Sequence, residues 1–378
     1  MQKKASLKSI ADEVGVSTTL VSYVLNNKME HRISKEVAKK IRDTAKELNY
    51  NANLIARSLK SNKTNTIGLI VADISNPFSS TLAKIIEEEA DRAGYTVIYG
   101  SSDENPDKSR RLIDTFLNKQ VDGLIIAPCS GSEEQIKDLE NRDFPFVLVD
   151  RYFPEITTNY VALNNFQASY MAVNHLIDHG HKRIGIITLD MPLHHMRERK
   201  RGYMEALEEH SRTFNPDHLI ELSQSFVQQD IEKAFAQLLK SDEPVDAVYL
   251  TTNKLGMCGL KYINTNKIKV PEELAVISFD ETEFLDLFST PVTQLRQPMM
   301  EMGKAATEIL ITAIEENNKL TQLNFQPLLV IKGSSTMTRL AKVVAEVEPL
   351  PVIKEKESQL VVAKTKRLKL NRRKMKVA

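Results

Sequence analysis

The sequence is poor in the residues that cross-link small secreted proteins and in the apolar runs that cross membranes. Its 378 residues include no tryptophan and two cysteines, Cys129 and Cys258. Two cysteines cannot form a disulfide framework or a cluster of metal ligands, so we expect a reduced, cytoplasmic protein. The longest apolar runs, around Ile67–Ala72 and Leu124–Pro128, are far shorter than the roughly 20 residues that span a bilayer. They indicate buried strands, and we expect no contact with membranes.

An excess of charge of one sign is also absent overall, but the charge is unevenly distributed. The formal net charge is +1. Residues 1–62 carry 12 basic against 6 acidic side chains, residues 63–338 carry 27 against 40, and residues 339–378 carry 12 against 4. A basic N-terminal segment on an acidic body is typical of a protein whose smaller end meets a polyanion such as nucleic acid. Length and composition, 42% apolar and 27% charged, indicate a folded, soluble protein of two or three domains.

The first 50 residues have the pattern of three short helices. A first helix follows a cap at Ser6 and ends at Gly15, and a second follows a cap at Ser17 and runs to about Asn26. The third runs from a cap at Ser34, with Val37, Ala38, Ile41, Ala45 and Leu48 facing inward. Two helices that cross at a short turn and pack on a third form a helix-turn-helix.

The second helix of such a motif lies in the major groove, with its N-terminal residues at the base edges. Thr18, Thr19 and Ser22 would then face DNA. Their hydroxyls can bond bases or phosphates, and Tyr23 adds a phenol of similar reach. The alternative is that the motif serves packing alone, but the polarity of this face favours DNA binding.

Three short stretches carry a family resemblance: Leu7–Ser17 (LKSIADEVGVS), Val21–Asn26 (VSYVLN) and Ala56–Leu59 (ARSL). They resemble the lactose-repressor/galactose-repressor family of bacterial transcription regulators, and the resemblance covers about residues 7–337. It implies a repressor that binds double-stranded operator DNA. It also adds Asn26, Asn53 and Arg57 to the expected DNA-binding residues.

By this resemblance, Asn53–Lys60 forms a hinge helix that folds on the operator and inserts Leu59 into the minor groove. An apolar wedge unstacks a base step and kinks the duplex, at a cost that two subunits can share at a central step. A homodimer is therefore implied. The alternative is that Leu59 packs against the body. Tyr23 stands where family members often have arginine, so their base preference does not transfer, and Ala52 stands where proline is common.

From Thr66 onward, apolar strand-like runs alternate with helix-like segments. The predicted strands are Ile67–Ala72, Thr96–Tyr99, Leu124–Ala127, Phe146–Val149, Ile184–Thr188, Ala247–Leu250 and Leu274–Phe279, and the helices are Ser79–Ala93, Lys108–Gln120, Gln167–His179, Arg199–His210, Asp230–Leu239 and Met257–Asn264. Such alternation indicates parallel sheets covered on both faces. The number of strands predicts an α/β effector domain of two doubly wound subdomains, with ligands outside the carboxyl ends of the strands. The resemblance implies the same fold, which is similar to that of periplasmic sugar-binding proteins.

Polar and aromatic residues near the predicted strand ends are the candidate effector ligands. The set is Asp73, Asn76, Phe78, Asp150, Arg197, Arg199, Phe226, Asn253 and Asp280. The resemblance places the cleft arginine at Arg199, with Arg197 as the alternative. Arginine, asparagine and aspartate together bind neighbouring hydroxyls, while Phe78 or Phe226 stacks on a sugar face. A small carbohydrate is therefore the expected effector.

Two departures from the family pattern concern this site. Lys254 stands where an acidic residue is common, and Asn164 where aspartate is common. A lysine at the cleft suits a phosphorylated or carboxylated effector, unless it points to solvent. Sugar effectors typically release DNA in this family, whereas purine-like or partner-protein co-repressors tighten DNA binding. We predict release by a sugar, with co-repression as the alternative.

Two other classes of protein are disfavoured. An enzyme would need a recognisable catalytic spacing, and His175, His179, His181, His194 and His195 have none. There is also no glycine-rich phosphate or dinucleotide motif, so we expect no catalytic residue, cofactor or metal. A sugar-binding protein without DNA function would need an export signal, which Asp12 and Glu13 interrupt, and would not need the helix-turn-helix.

The predicted domain organisation has four parts. Residues 1–50 form the DNA-binding domain, residues 51–62 the hinge, residues 63–338 the effector-binding and dimerisation domain, and residues 339–378 a basic tail. The prolines and clustered charges of this tail are typical of a disordered, solvated segment. The sharper hypothesis is that the tail adds phosphate contacts, in which case its deletion would flatten the salt dependence of DNA binding.

Overall fold

The computed structural model describes residues 5–26, 32–48, 50, 63–316 and 320–336. The predicted hinge helix, with Asn53, Arg57 and Leu59, lies outside the described residues. The basic tail at residues 339–378 lies outside them as well.

The N-terminal segment contains the three predicted helices: α1 (Leu7–Val14), α2 (Thr18–Leu25) and α3 (Lys35–Glu47). The caps are those expected, since the hydroxyls of Ser6, Ser17 and Ser34 each accept a backbone N–H three residues later at 3.2 Å. Gly15, at φ 78°, ends α1 and makes the turn. The shared core consists of Ile10, Ala11, Val21, Val24, Ala38, Ile41 and Ala45.

The inward orientation predicted for Leu48 is wrong. Leu48 is the residue after the last helical residue of α3 and is 39% exposed. The fourth buried position of α3 is Thr44 instead. A small polar side chain one turn earlier therefore completes the inner face of the helix.

The α/β body alternates strands and helices along the chain. The strands are β1 (Thr66–Val71), β2 (Thr96–Ser101), β3 (Gly123–Ile126), β4 (Phe146–Asp150), β5 (Tyr160–Leu163), β6 (Ile184–Leu189), β7 (Leu219–Leu222), β8 (Ala247–Leu250), β9 (Ala275–Phe279), β10 (Thr293–Arg296), β11 (Gln322–Phe325) and β12 (Leu328–Val330). The helices are α4 (Pro77–Arg92), α5 (Pro106–Asn118), α6 (Glu133–Asn141), α7 (Asn165–Asp178), α8 (His194–Glu209), α9 (Val227–Lys240), α10 (Asn253–Thr265) and α11 (Met299–Glu316). The seven predicted strands are all present, with ends shifted by two residues at most.

The strands form two sheets of the same design. Their orders are β11-β5-β4-β3-β1-β2 and β12-β10-β9-β8-β6-β7, and the described pairs are parallel except β10 with β12. The chain passes from one sheet to the other after β5, after β10 and after β11. Each sheet therefore forms one doubly wound subdomain, and three connections join the two subdomains. The predicted fold class is confirmed.

Gly202 sets the spacing between α7 and α8, two of the helices that cover the second sheet. A Cβ atom at Gly202 would lie 2.3 Å from the carbonyl oxygen of Phe166 and 3.0 Å from the amide nitrogen of Tyr170. Both atoms are backbone, so only glycine permits this approach. The close contact fixes the position of Arg199, which precedes Gly202 by one turn of α8.

Candidate DNA-binding face and effector cavity

The first turns of α2 present a polar surface to solvent. Thr18 and Thr19 are exposed, Ser22 is half-buried, and Tyr23 is 37% exposed. Val21 and Val24 lie on the opposite side of the helix in the core. The predicted side chains thus share one accessible face whose hydroxyls can bond bases or phosphates. Their contact with DNA remains a prediction.

Asn26, also predicted to bind DNA, has a local role in the structure. Its Nδ2 donates to the carbonyl oxygen of Ser22 at 2.7 Å and lies 3.4 Å from the Ser22 hydroxyl. The amide therefore satisfies the last turn of α2 and fixes the position of Ser22. Its own contact with DNA also remains a prediction.

A cavity of about 330 Å³ lies between the two subdomains, at the carboxyl ends of their strands. Seven of the nine predicted effector residues line it: Asp73, Asn76, Phe78, Asp150, Arg199, Asn253 and Asp280. The first four belong to the first subdomain and the last three to the second. The topology therefore brings residues together that are up to 207 positions apart in the sequence.

Two amide side chains join the subdomains across this cavity. Asn253 Nδ2 donates to Asn76 Oδ1 at 2.6 Å. The same Asn76 oxygen accepts the backbone N–H of Phe78 at 3.0 Å and so caps α4. Because Asn76 caps α4 and Asn253 is the first residue of α10, this bond couples the positions of two helices, one from each subdomain.

Arg199 is held rigidly in the wall of the cavity. It is 4% exposed, and its guanidinium carbon lies 3.4 Å from the centre of the Phe279 ring. Its Nε donates to Asn165 Oδ1 at 2.8 Å and its Nη1 to the carbonyl oxygen of Thr251 at 2.6 Å. Burial lowers the pKa of Arg199, and the carboxylates of Asp280 and Asp150 oppose that effect. Nη2 takes part in neither bond, which makes it the atom best suited to meet a ligand.

Asp150 and Asp280 place two buried carboxyl groups in the same cavity. Burial raises the pKa of both, while Arg151 and Arg199 lower that of Asp150 and Arg199 lowers that of Asp280. Asp280 Oδ1 also accepts Gln297 Nε2 at 2.7 Å. The result is a wall in which buried acids and a fixed guanidinium alternate, an arrangement that can both donate to and accept from hydroxyl groups.

Sequence reasoning missed His195 as a ligand candidate. It lines the cavity, is 5% exposed, and its Nδ1 has no hydrogen-bond partner among the described residues. Burial, together with the charges of Arg151 and Arg199, holds its pKa well below the usual value, so the ring is neutral. His195 lies four residues before Arg199 in the sequence, but the sequence alone does not show which side chains of this helix face inward. The register of α8, which begins at His194, places both side chains on its buried face.

A second missed feature is an ion pair in the cavity wall. Arg151 and Glu104 form two nitrogen–oxygen contacts of 2.8 Å, and both side chains are about nine-tenths buried. Burial opposes the charge of Arg151, but Glu104 outweighs it and raises the arginine's pKa. From the other subdomain, Gln224 Nε2 reaches Glu104 Oε1 at 3.4 Å.

Lys254, which stands where an acidic residue is common in the family, lines the cavity as an exposed residue. It donates to the carbonyl oxygen of Gln224 at 3.0 Å.

The structure does not bring Arg197 and Phe226 to the cavity. Arg197 is exposed and donates to the carbonyl oxygen of Pro192 at 3.2 Å, because it lies two positions from Arg199 and so on another face of α8. Phe226 is 52% exposed at the start of α9 and does not line the cavity.

Asn164, which stands where aspartate is common in the family, caps a helix. Its Oδ1 accepts the backbone N–H of Gln167 at 3.0 Å and caps α7, as an aspartate would.

Two of the histidines considered for catalysis have structural partners. His175 Nε2 lies 2.8 Å from the Ser335 hydroxyl, and His181 Nε2 lies 3.3 Å from the Ser335 carbonyl oxygen. Across the described ranges, no group of three or more histidine, cysteine or acidic side chains is placed to hold a metal ion. Within the same ranges, no helix is both long and apolar enough to cross a membrane.

Both parts of the chain match described families. Residues 6–53 match the bacterial regulatory proteins of the lacI family. Residues 64–326 match the periplasmic binding proteins and sugar binding domain of the LacI family. The chain belongs to the LacI family. It is therefore a DNA-binding transcriptional repressor with an effector-binding domain and not an enzyme, as the sequence predicts.

Individual relatives agree with this assignment. The HTH-type transcriptional repressor PurR of Photobacterium profundum is 32% identical over 87% of this chain and 98% of its own length. The transcription regulator CcpA of Lactococcus lactis is 25% identical, with a TM-score of 0.65 over 72% of this chain and 99% of that one. The lac repressor dimer bound to operator has a TM-score of 0.79 over 89% of this chain and all of that one, and at 19% identity it shows the fold alone.

Proposed function

We propose that this repressor acts as a homodimer on a near-palindromic operator and that a carbohydrate in the cavity changes its affinity for DNA. Thr18, Thr19, Ser22 and Tyr23 would contact the operator, with support from Asn26, Asn53 and Arg57, and Leu59 would wedge its centre. The proposed units are residues 1–50, 51–62, 63–338 and 339–378. The exposed hydroxyl face of α2 supports the first role.

The observation that carries the carbohydrate is the buried set Arg199, Asp150 and Asp280. Each of these groups is charged in water, and each is held in a fixed direction by neighbouring bonds or backbone geometry. Neighbouring sugar hydroxyls donate to carboxylates and accept from guanidinium N–H groups at the same time. A neutral hydroxylated ligand therefore satisfies this wall without bringing a further buried charge, which would be costly.

Effector binding would act by shifting the equilibrium between two arrangements of the subdomains. A ligand that contacts Asp150 on one side and Arg199 and Asp280 on the other favours the arrangement in which both sides reach it. The three connections between the subdomains permit such a rotation, which would change the separation of the two hinge helices in a dimer. We propose that the sugar releases the operator.

A purine-like co-repressor is the second candidate, and two observations favour it. Phe78 and Phe284 line the cavity and provide aromatic surfaces for a flat heterocycle. The neutral His195 offers an unpaired ring nitrogen that could bond a purine edge. The two candidates have opposite effects on operator affinity: the sugar would lower it, whereas a co-repressor would raise it.

Selection of binding sites from random DNA by the purified full chain tests the proposal. Enrichment of a two-fold symmetric sequence with a deformable central step supports the dimeric repressor. A Thr18→Ala/Thr19→Ala variant should lose this selection, whereas a Thr115→Ala variant, changed on the exposed face of α5, should keep it. Failure of the wild type to enrich any sequence, with and without purines, would contradict the proposal.

The enriched site then serves to identify the effector. Its complex with the protein is titrated with monosaccharides, disaccharides, adenine, guanine and hypoxanthine, and DNA release is measured by fluorescence anisotropy. Release by a sugar supports the main candidate. Tighter binding with a purine would replace it by the second.

A further inference from the structure

A second cavity, of about 340 Å³, adjoins the effector cavity. Pro77, Phe78, Asp280, Phe284 and Gln297 line both spaces. The two cavities therefore adjoin at these side chains. Each alone lies near the lower end of the roughly 300 to 1,000 Å³ that ligand sites occupy, so the two together have room for more than one ring.

Unpaired polar atoms mark the boundary and the second cavity. Gln297 is 6% exposed, and its Nε2 donates to Asp280, but its Oε1 has no hydrogen-bond partner in the described part of the chain. The hydroxyl of Thr282, which lines only the second cavity, is likewise buried without a described partner. A buried polar atom left unpaired costs about 1 to 3 kcal/mol, so a side-chain rotation that turns either oxygen toward a ligand hydroxyl would remove that cost.

The charge of the second cavity excludes an anionic ligand group. Asp280, Glu281 and Glu283 line it, and among the described lining residues there is no lysine, arginine or histidine. Glu281 is paired with Arg296, but this arginine does not line the cavity. A phosphate or carboxylate would meet like charge, whereas hydroxyl groups would find acceptors.

Two aromatic rings stand at the junction of the cavities. Phe78 and Phe284 are both half-buried and line both spaces. An aromatic face packs well against the C–H face of a sugar ring and leaves the hydroxyls at the ring edge free for polar partners. The junction is thus suited to a glycosidic link with a ring on either side.

We infer that the effector is a neutral carbohydrate of at least two sugar units, with one ring in each cavity. The inference rests on the proposed carbohydrate function of the first cavity. Its first ring meets Arg199, Asp150 and Asp280, and its second ring meets Thr282, Gln297 and the acidic wall. The second unit carries no phosphate or carboxylate.

Calorimetric titration of the full chain tests this inference with glucose, galactose, maltose, cellobiose, lactose, sucrose and glucose 6-phosphate as probes. Thr81 lines only the second cavity and is exposed, so Thr81→Trp fills that space and replaces no residue that lines the first. Thr115→Trp, at an exposed threonine of α5 that lines neither cavity, is the matched control. Thr282→Val removes one hydroxyl at constant shape and is the milder second variant.

The expected result is a disaccharide that binds at least 10-fold more tightly than its constituent monosaccharides. Thr81→Trp should weaken it at least 10-fold and Thr282→Val about 3-fold or more, while monosaccharide binding changes less than 2-fold and Thr115→Trp has no effect. If a monosaccharide binds as tightly as every disaccharide and neither variant matters, the inference fails but the carbohydrate proposal stands. Tighter binding of glucose 6-phosphate than of every neutral sugar would contradict the inference that the second unit is uncharged. Binding of adenine, guanine or hypoxanthine but no sugar overturns both.

Discussion

Asp150 and Asp280 occupy equivalent positions in the two subdomains, although 130 residues separate them. Asp150 ends β4 and Asp280 directly follows β9, each strand the third from the same end of its sheet. Both have left-handed backbones, with φ of 68° and 67°. This conformation is uncommon outside glycine and directs two buried carboxyl groups into one cavity. The paired geometry indicates that the site is built from both halves of the fold together.

Replacement of Asp280 should separate effector response from DNA binding. Asparagine tolerates the left-handed backbone, so Asp280→Asn removes the charge without adding strain. We expect effector affinity to fall about 10- to 100-fold, since one charge-assisted bond is worth about 1.5 to 3 kcal/mol. Operator affinity without effector should stay within about 2-fold, so the variant remains on DNA at effector concentrations that release the wild type.

The matched control for this prediction is Asp143→Asn. Asp143 also has a left-handed backbone, at φ 50°, but is exposed and lines neither cavity. It should respond to effector as the wild type does. An Asp280→Asn protein with unchanged effector affinity would remove Asp280 from the site.

Leu59→Ala should abolish most sequence-specific binding while it leaves non-specific binding intact. Phosphate contacts supply non-specific affinity, whereas the wedge is needed for the kinked operator. We expect operator affinity to fall at least 10-fold in electrophoretic mobility shifts, with affinity for random DNA unchanged. Leu59→Met keeps a flexible apolar wedge and should retain most of the affinity. Normal operator binding by Leu59→Ala would show that this leucine does not wedge the duplex.

Gly202→Ala should destabilise the second subdomain. The new methyl group would meet the Phe166 carbonyl oxygen at 2.3 Å, so α7 and α8 must move apart. Overpacking of this kind costs about 1 to 3 kcal/mol, and the shift would also displace Arg199. Thermal unfolding should start several degrees lower than in the wild type and effector affinity should fall. Glu205→Ala, at an exposed position of the same helix, should change neither quantity.

Stability should decrease as the pH falls below about 6.5, in part because of His175. Burial, with the charges of His179 and His181, lowers the pKa of His175 to about 4 from 6.5. Between these values the unfolded chain binds the proton and the folded chain does not, so acid favours unfolding. The full effect, reached below about pH 4, is at most of the order of 3 kcal/mol, and it disappears as the pH rises past 6.5.

Urea denaturation at pH 7.5, 6.0 and 4.5 measures this effect. His175→Gln can still bond the Ser335 hydroxyl but does not titrate, so the loss of stability on acidification should be smaller than in the wild type. His181 and His195 also have lowered pKa values, and part of the pH dependence should therefore remain. His210→Gln, at an exposed histidine, should follow the wild type. An identical pH dependence in His175→Gln and wild type would contradict this assignment.

Several elements escaped prediction for a common physical reason. Strands β7, β11 and β12 lie at the edges of their sheets and are partly exposed, so they lack the continuous burial of β3 and β8, which are equally short. They nevertheless matter, because β11 and β12 return the chain to the far edge of each sheet. Their place is decided by pairing with distant residues, such as Gln322 with Tyr160, which no local pattern contains.

Local sequence by itself determined the helical caps, the turn at Gly15, the polar face of α2 and the alternation that makes two parallel sheets. These features depend on contacts within a few residues, so the order of amino acids is enough to predict them. Only the tertiary structure decided between Arg199 and Arg197, removed Phe226, and added His195, Gln297 and the Arg151–Glu104 pair to the cavity. Those choices depend on the rotation of a helix and on the junction of two subdomains, where side chains far apart in the chain become neighbours.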